Sequence, residues 1–262
     1  QHPELKPIIE QYIKQLWIPL LEKPDTLKAL RFWELTVNNI CLQGFKLCFI
    51  LDEFDHAYKV MPPKVFSHLR AIRDMNKINL CYALFLRNLP GVLRSQLENE
   101  GFFELISRNQ IGIGPYTYRD TKDMLRKLEK RRGRQIQSET TREKIYDVSG
   151  GHPGTVQAIF SLLLKTHEED PHLYDPRWLL RDETIKDECF KLFESLEYEE
   201  RLVMAKYAQG NLSEHNPHTI KVLRIKGLLA GPEGQLPRIF NPIFELYCQY
   251  HVKIDEFKKP MG

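Results

Sequence analysis

Three carboxylates in four residues, Asp52, Glu53 and Asp55, follow an apolar run, Leu47-Cys-Phe-Ile-Leu51. Five of the six residues from Leu47 to Asp52 are apolar, which suits a strand buried on both faces of a parallel sheet. In open α/β sheets, ligands bind beyond the carboxyl ends of the strands, where these acids fall. An Asp there can hold a magnesium ion, and the Glu beside it can polarise a water for attack on phosphate. The same residues would equally make a solvated acidic turn, because short motifs arise often by chance.

Other residues could share that chemistry. A second apolar run, Ile78 to Leu86, reads as a strand ending in Arg87 and Asn88, so a cation and an amide would stand beside the carboxylates and favour an anion and a metal between them. Arg108 lies just beyond a helix expected over Val92 to Ile106, ahead of a short third strand at Asn109 to Gly114. Further on, Ser149-Gly-Gly-His-Pro-Gly154 forms a turn containing His152 and Pro153. Gly150 or Gly151 can serve as a left-handed helix cap, so part of that turn needs no ligand to explain it.

The elements that would position these residues alternate in the manner of a parallel α/β sheet. Residues 2–43 set apolar groups at helical spacing (Ile8, Ile9, Tyr12, Ile13, Leu16, then Leu27, Leu30, Trp33, Val37), which predicts two helices broken near Pro24. Pro62-Pro63 begins a helix running to Met75. From Pro115 onward the pattern is helical. Thr117 to Asp120 has the form of a capping box, Ser138 can cap the next helix, and residues 167–176 read as a linker. Helices at 185–196, 199–208 and 217–229, a turn at Gly231-Pro-Glu-Gly234, a strand at 236–240 and a last helix at 242–251 have the layout of a winged helix.

Composition narrows the classes. The 262 residues are 42% hydrophobic and 28% charged with a net charge of +3, ordinary for a globular chain and too near neutral for a global nucleic-acid field. The basic stretch Arg126 to Arg134 reads as a charged helix end rather than a nucleic-acid patch. Five widely spaced cysteines, Cys41, Cys48, Cys81, Cys189 and Cys248, fit reduced and buried thiols better than a disulfide framework or a zinc site. No apolar run is long enough for a bilayer span and no signal-peptide pattern opens the chain, so the expected location is cytoplasmic, without a membrane partner. No glycine precedes Gly44, so a phosphate-cradling G-x-x-x-x-G-K-[ST] loop does not precede the acidic cluster in this sequence.

Taken together, Phe-Ile-Leu-Asp-Glu-Phe-Asp (49–55), Leu-Phe-Leu-Arg-Asn (84–88), Ser107-Arg108, the Pro-Tyr-Thr at 115–117, Ser-Gly-Gly-His-Pro-Gly (149–154) and the winged-helix layout resemble AAA+-like P-loop ATPases of the STAND class, found in cell-death, transcriptional and antiviral machines. The resemblance implies a partial α/β ATPase core at 1–116, a helical lid at 117–168 and a winged helix at 169–262, with the P-loop lying upstream. It implies ATP or ADP with Mg2+ as ligands. Asp52 would hold the metal, Glu53 would orient the attacking water, and Arg87 would touch the terminal phosphate, with Asn88 as the sensor in another alignment. Arg108 would reach a neighbouring subunit as an arginine finger, which makes a homo-oligomer the expected partner. His152 and Pro153 would close the lid over adenine. Origin-recognition ATPases share the order of parts but carry an arginine shortly after the corresponding glycine, where this chain has Pro153, Gly154 and Thr155. Two other readings stay open: a DNA-binding winged-helix module, and a chain without nucleotide activity.

Overall fold

The computed structural model describes residues 3–12, 14, 18, 25–98, 100–211, 216–232 and 237–253. The predicted helix positions Ile13 and Leu16, the break near Pro24, and Glu233, Gly234 and Leu236 of the predicted turn and strand lie outside the described residues. The chain is mixed α/β, mostly helical, and divides into two units, Gln1–Gln110 and Ile111–Gly262.

The first unit contains helix α1 (Leu5–Tyr12) and helix α2 (Thr26–Leu42). Asp25 starts α2 by accepting the Leu27 and Lys28 N–H groups at 2.8 and 3.2 Å. Strand β1 (Leu47–Leu51) follows, then helices α3 (Asp55–Val60) and α4 (Pro63–Met75), and strand β2 (Leu80–Leu84). The two strands pair in parallel, Leu47 opposite Leu80 through Leu51 opposite Leu84.

Helices cover one face of this pair. Trp33 of α2 lies 4.4 Å from Phe49 between ring centroids, and rings continue beneath the strands through Tyr82, Phe102, Phe66 and Tyr58. Burial therefore alternates along β1: Cys48 and Ile50 are exposed while Leu47, Phe49 and Leu51 turn towards the helices. This corrects the expectation of a strand buried on both faces, because the described helices pack on the Phe49 side.

Two more corrections concern the end of this unit. The single helix expected over 92–106 is two, α5 (Pro90–Leu93) and α6 (Glu100–Ser107), with a 3-10 turn at Gln96–Glu98 between them. Arg94 causes the break. Its backbone is extended, and its guanidinium is drawn inward to donate to the Met61 carbonyl at 2.6 Å, pair with Glu98 at 2.9 Å and cover the Phe66 ring at 5.3 Å.

The predicted third strand at 109–114 is irregular chain, so among the described residues the parallel sheet has two strands. From Ile111 this segment belongs to the second unit, where a Cβ on Gly112 would fall 2.0 Å from the Ile225 carbonyl oxygen. Such close backbone contact takes the place of a strand ladder and leaves Ile111 and Ile113 exposed.

The second unit is built from helices α7 (Tyr118–Arg132), α8 (Glu139–Ser149), α9 (Pro153–Leu163), α10 (Pro176–Leu179), α11 (Glu183–Glu194), α12 (Tyr198–Ala208), α13 (Pro217–Ile225) and α14 (Pro242–His251). Strands β3 (Leu229–Ala230) and β4 (Arg238–Ile239) form a short antiparallel ladder before α14. The capping box at Thr117 and Asp120, the Ser138 cap and the left-handed cap at Gly150 all form as the residue types predict. The stretch read as a linker instead carries a 3-10 turn, Pro171–Tyr174, with Leu173 fully inside the core. Glu168 ties it down, accepting from the Gln137 and Ser138 N–H groups and the Thr141 hydroxyl at 2.8, 3.3 and 3.1 Å. One apolar cluster runs from Leu125 to Val252, so residues before and after 169 share a core. Among the described residues, no helix is long and apolar enough to cross a membrane.

Two predictions concern this unit. Asn241 is buried; its side-chain oxygen caps α14 through the Ile243 and Phe244 N–H groups, and its amide donates to the Ser149 carbonyl at 2.7 Å. Asn241→Ala is expected to cost about 2–4 kcal/mol, a lost cap plus a stranded carbonyl, read from urea denaturation midpoints. Glu139 joins α8 to α7, accepting from Lys122 at 2.7 Å and the Tyr118 hydroxyl at 2.6 Å, and these hold its carboxyl down at about 2, Lys122 contributing most. Because its folded value lies below the ordinary 4.5, its stabilising effect is complete above pH 4.5 and is lost as pH falls towards about 2. Carboxyl-carbon NMR titration should place Glu139 there, and the low value should revert towards normal in Lys122→Met.

Candidate active site

The carboxyl ends of β1 and β2 are held together by backbone and side chain. Past the ladder, Phe85 N–H donates to the Leu51 carbonyl at 2.9 Å and Phe54 N–H to the Phe85 carbonyl at 3.1 Å. Asp55 then completes the join. Its two carboxylate oxygens accept the Arg87 N–H at 2.9 and 3.1 Å, and one also accepts the Asn88 N–H at 3.0 Å. Both acceptor atoms of a half-buried carboxylate are thereby spent on the opposite strand end.

Within this join lie four residues predicted from sequence. Asp52 accepts the Glu53 N–H on one oxygen at 2.9 Å. Glu53 has φ +48°, the one left-handed non-glycine among the described residues, and its carboxylate receives the Arg87 guanidinium at 2.9 Å. Both partners of that ion pair are open to solvent, at 75% and 66% side-chain exposure, so it contributes little to stability and its members are free to exchange partners. Asn88 follows Arg87 with its N–H on Asp55. The structure thus brings Asp52, Glu53, Arg87 and Asn88 together.

Arg108 stands apart from that group. It closes α6 and pairs with Glu104 one turn earlier, both side chains exposed. His152 and Pro153 belong to the second unit, where they start α9: Pro153 occupies the first turn and the His152 ring accepts the Thr155 N–H at Nδ1, 3.3 Å away, beside the Thr155 hydroxyl at 3.0 Å. Burial holds the His152 imidazole below its usual value, partly opposed by Glu188, which favours the neutral ring that a cap requires. Gly151 must be glycine here, with φ +74° and a Cβ position 2.1 Å from the Tyr116 carbonyl oxygen.

Among the described residues no group of three or more His, Cys, Asp or Glu gathers as a metal set. A divalent ion at Asp52 would complete its shell with phosphate oxygens and water, the common way magnesium is held beside one or two carboxylates. No family model, curated protein or solved structure matches the chain.

Sequence reasoning gave roles to Asp52 and Glu53 and none to Asp55, yet Asp55 is the residue that ties the site. Its signal was faint: an acid three residues past Asp52, where a side chain can reach the next strand end. Asp55→Ala is expected to cost about 1–3 kcal/mol, since it strands the Arg87 and Asn88 N–H groups. Hydrogen exchange at those two amides should accelerate well beyond any change within β2.

Proposed function

We propose that this chain carries the Walker-B and sensor side of an AAA+-like ATPase of the STAND class, and that it acts as a nucleotide-dependent switch controlling assembly or an attached effector. The observation that carries the reading is the gathering of Asp52, Glu53 and Arg87 at the carboxyl ends of two parallel strands. In this reading Asp52 holds magnesium, whose charge offsets that of the phosphates, and Glu53 orients the attacking water. Arg87 releases Glu53 in exchange for a terminal phosphate oxygen, which leaves the carboxylate available to the water at the moment substrate arrives. In the other alignment Asn88 takes the sensor place of Arg87. Arg108 gives up Glu104 for phosphate bound on an adjoining subunit, so hydrolysis follows self-assembly. The phosphate-cradling loop is not among these residues, so an upstream segment supplies it.

The order of α11, α12, α13, the β3–β4 ladder and α14 supports a winged-helix reading of residues 169–262. A DNA-reading role draws less support from its basic side chains. Arg224 of α13 donates to the Gly231 carbonyl at 2.6 Å, and Lys226, which caps that helix, forms an ion pair with the buried Glu200 at 2.7 Å, leaving Lys221 as the exposed one of these three.

The test joins the upstream segment to this chain and measures ATP binding and turnover with magnesium. Glu53→Gln is expected to lower hydrolysis by about 10²–10⁴-fold while binding persists. A joined protein that binds no ATP, or a Glu53→Gln variant with unchanged turnover, sinks the proposal. The 262 residues alone should show no tight binding by isothermal titration, and micromolar affinity there would remove the need for the upstream loop.

A further inference from the structure

Cys48 and Cys81 are direct register partners across the parallel β1–β2 pair. Both are exposed, unlike Cys41, Cys189 and Cys248, which are buried. This departs from the uniformly buried thiols that the spacing led us to expect, because both fall on the sheet face opposite the helices. Neighbouring strands run about 4.8 Å apart, inside the about 4.4–6.8 Å between Cα atoms that a disulfide spans. The strand spacing therefore meets the Cα requirement of a disulfide, and the register puts both side chains on one face of the sheet.

We propose that Cys48 and Cys81 form a cross-strand dithiol, a modification site that low-molecular-weight disulfides such as glutathione disulfide convert reversibly to an intramolecular disulfide. The order of attack follows from the contacts. Cys81 Sγ donates to the Leu47 carbonyl at 3.7 Å, a contact of its protonated form, and its thiol is pushed up first by the hydrogen bond with Cys48 and then by burial. Cys48 is then the first nucleophile. Its thiolate attacks one sulfur of the glutathione disulfide, that S–S bond breaks, and one glutathione leaves and takes up the proton. The Cys81 thiolate next attacks the Cys48 sulfur of the mixed disulfide and expels the second glutathione. Two protein thiols lose two electrons and two protons, and one glutathione disulfide becomes two glutathione thiols. The bond would fix the two strands against sliding at a point four residues before Asp52, and its formation does not require nucleotide.

The test treats the folded chain with graded ratios of oxidised to reduced glutathione, traps free thiols with an alkylating agent and maps peptides by mass spectrometry. Wild type is expected to lose the Cys48 and Cys81 thiols in step, giving one cross-linked peptide pair lighter by two hydrogen masses, while Cys41, Cys189 and Cys248 stay alkylatable only after unfolding. Cys81→Ser should stop at a glutathione adduct on Cys48. Stable adducts on both residues of wild type, linkage between chains in place of linkage within one, or no loss of either thiol at any ratio would each overturn the proposal. The wild-type map decides the matter alone if the variant does not fold.

Discussion

One carboxylate, that of Asp55, accepts two backbone N–H groups from a segment 32 and 33 residues further along the chain. The β1–β2 ladder stops at Leu51 and Leu84, and past it the carboxyl ends are joined by Phe85 N–H to the Leu51 carbonyl, by Phe54 N–H to the Phe85 carbonyl and, furthest out, by Asp55. Beyond that point each strand turns away into its own helix, and Asp55 holds the Arg87 backbone from which the guanidinium reaches Glu53. The tie is charge-assisted and partly sheltered, which makes it stronger than the exposed ion pair it positions. This division of labour separates a residue that holds geometry from residues whose bonds must be exchangeable.

The second unit relies on a comparable economy at Ser149 to Gly154. The turn there is closed from two sides: Asn241 binds the Ser149 carbonyl, and the Tyr116 N–H binds the Gly151 carbonyl at 3.0 Å. A chain segment far ahead of the turn and another far behind it are thus joined through six residues. Packing of the apolar cluster then makes helices from α7 to α14 one body, so any force applied at His152 is transmitted through a core rather than through a flexible link.

Where sequence could be read, the reason was local. The capping box at Thr117, the cap at Ser138, the proline starts of α4 and α14, and the left-handed Gly150 each depend on residues within one turn of helix. The end of β1 was legible for the same reason, since its apolar run stops where Asp52 begins, whereas β2 is shorter than its apolar run, spanning Leu80–Leu84 instead of residues 78–86. What escaped depended on partners distant in sequence. Arg94 broke a helix because Met61 and Phe66 were waiting for it, Gly112 settled against Ile225 instead of in a strand, and Leu173 found a core where only polarity was visible. Sidedness of the sheet was equally hidden, since an unbroken apolar run gives the same signal whether one face or both are covered.

The backbone of Glu53 carries a preference of its own. A left-handed residue directly after a strand is a place where glycine relaxes and every side chain is strained by about 1–2 kcal/mol. A turn shaped for thermostability alone would have left that position bare. By carrying a carboxylate there, the chain holds an acid at the mouth of its sheet on a backbone that would relax if the side chain were absent, so mutants selected for heat resistance at this position would be expected to lose the acid first.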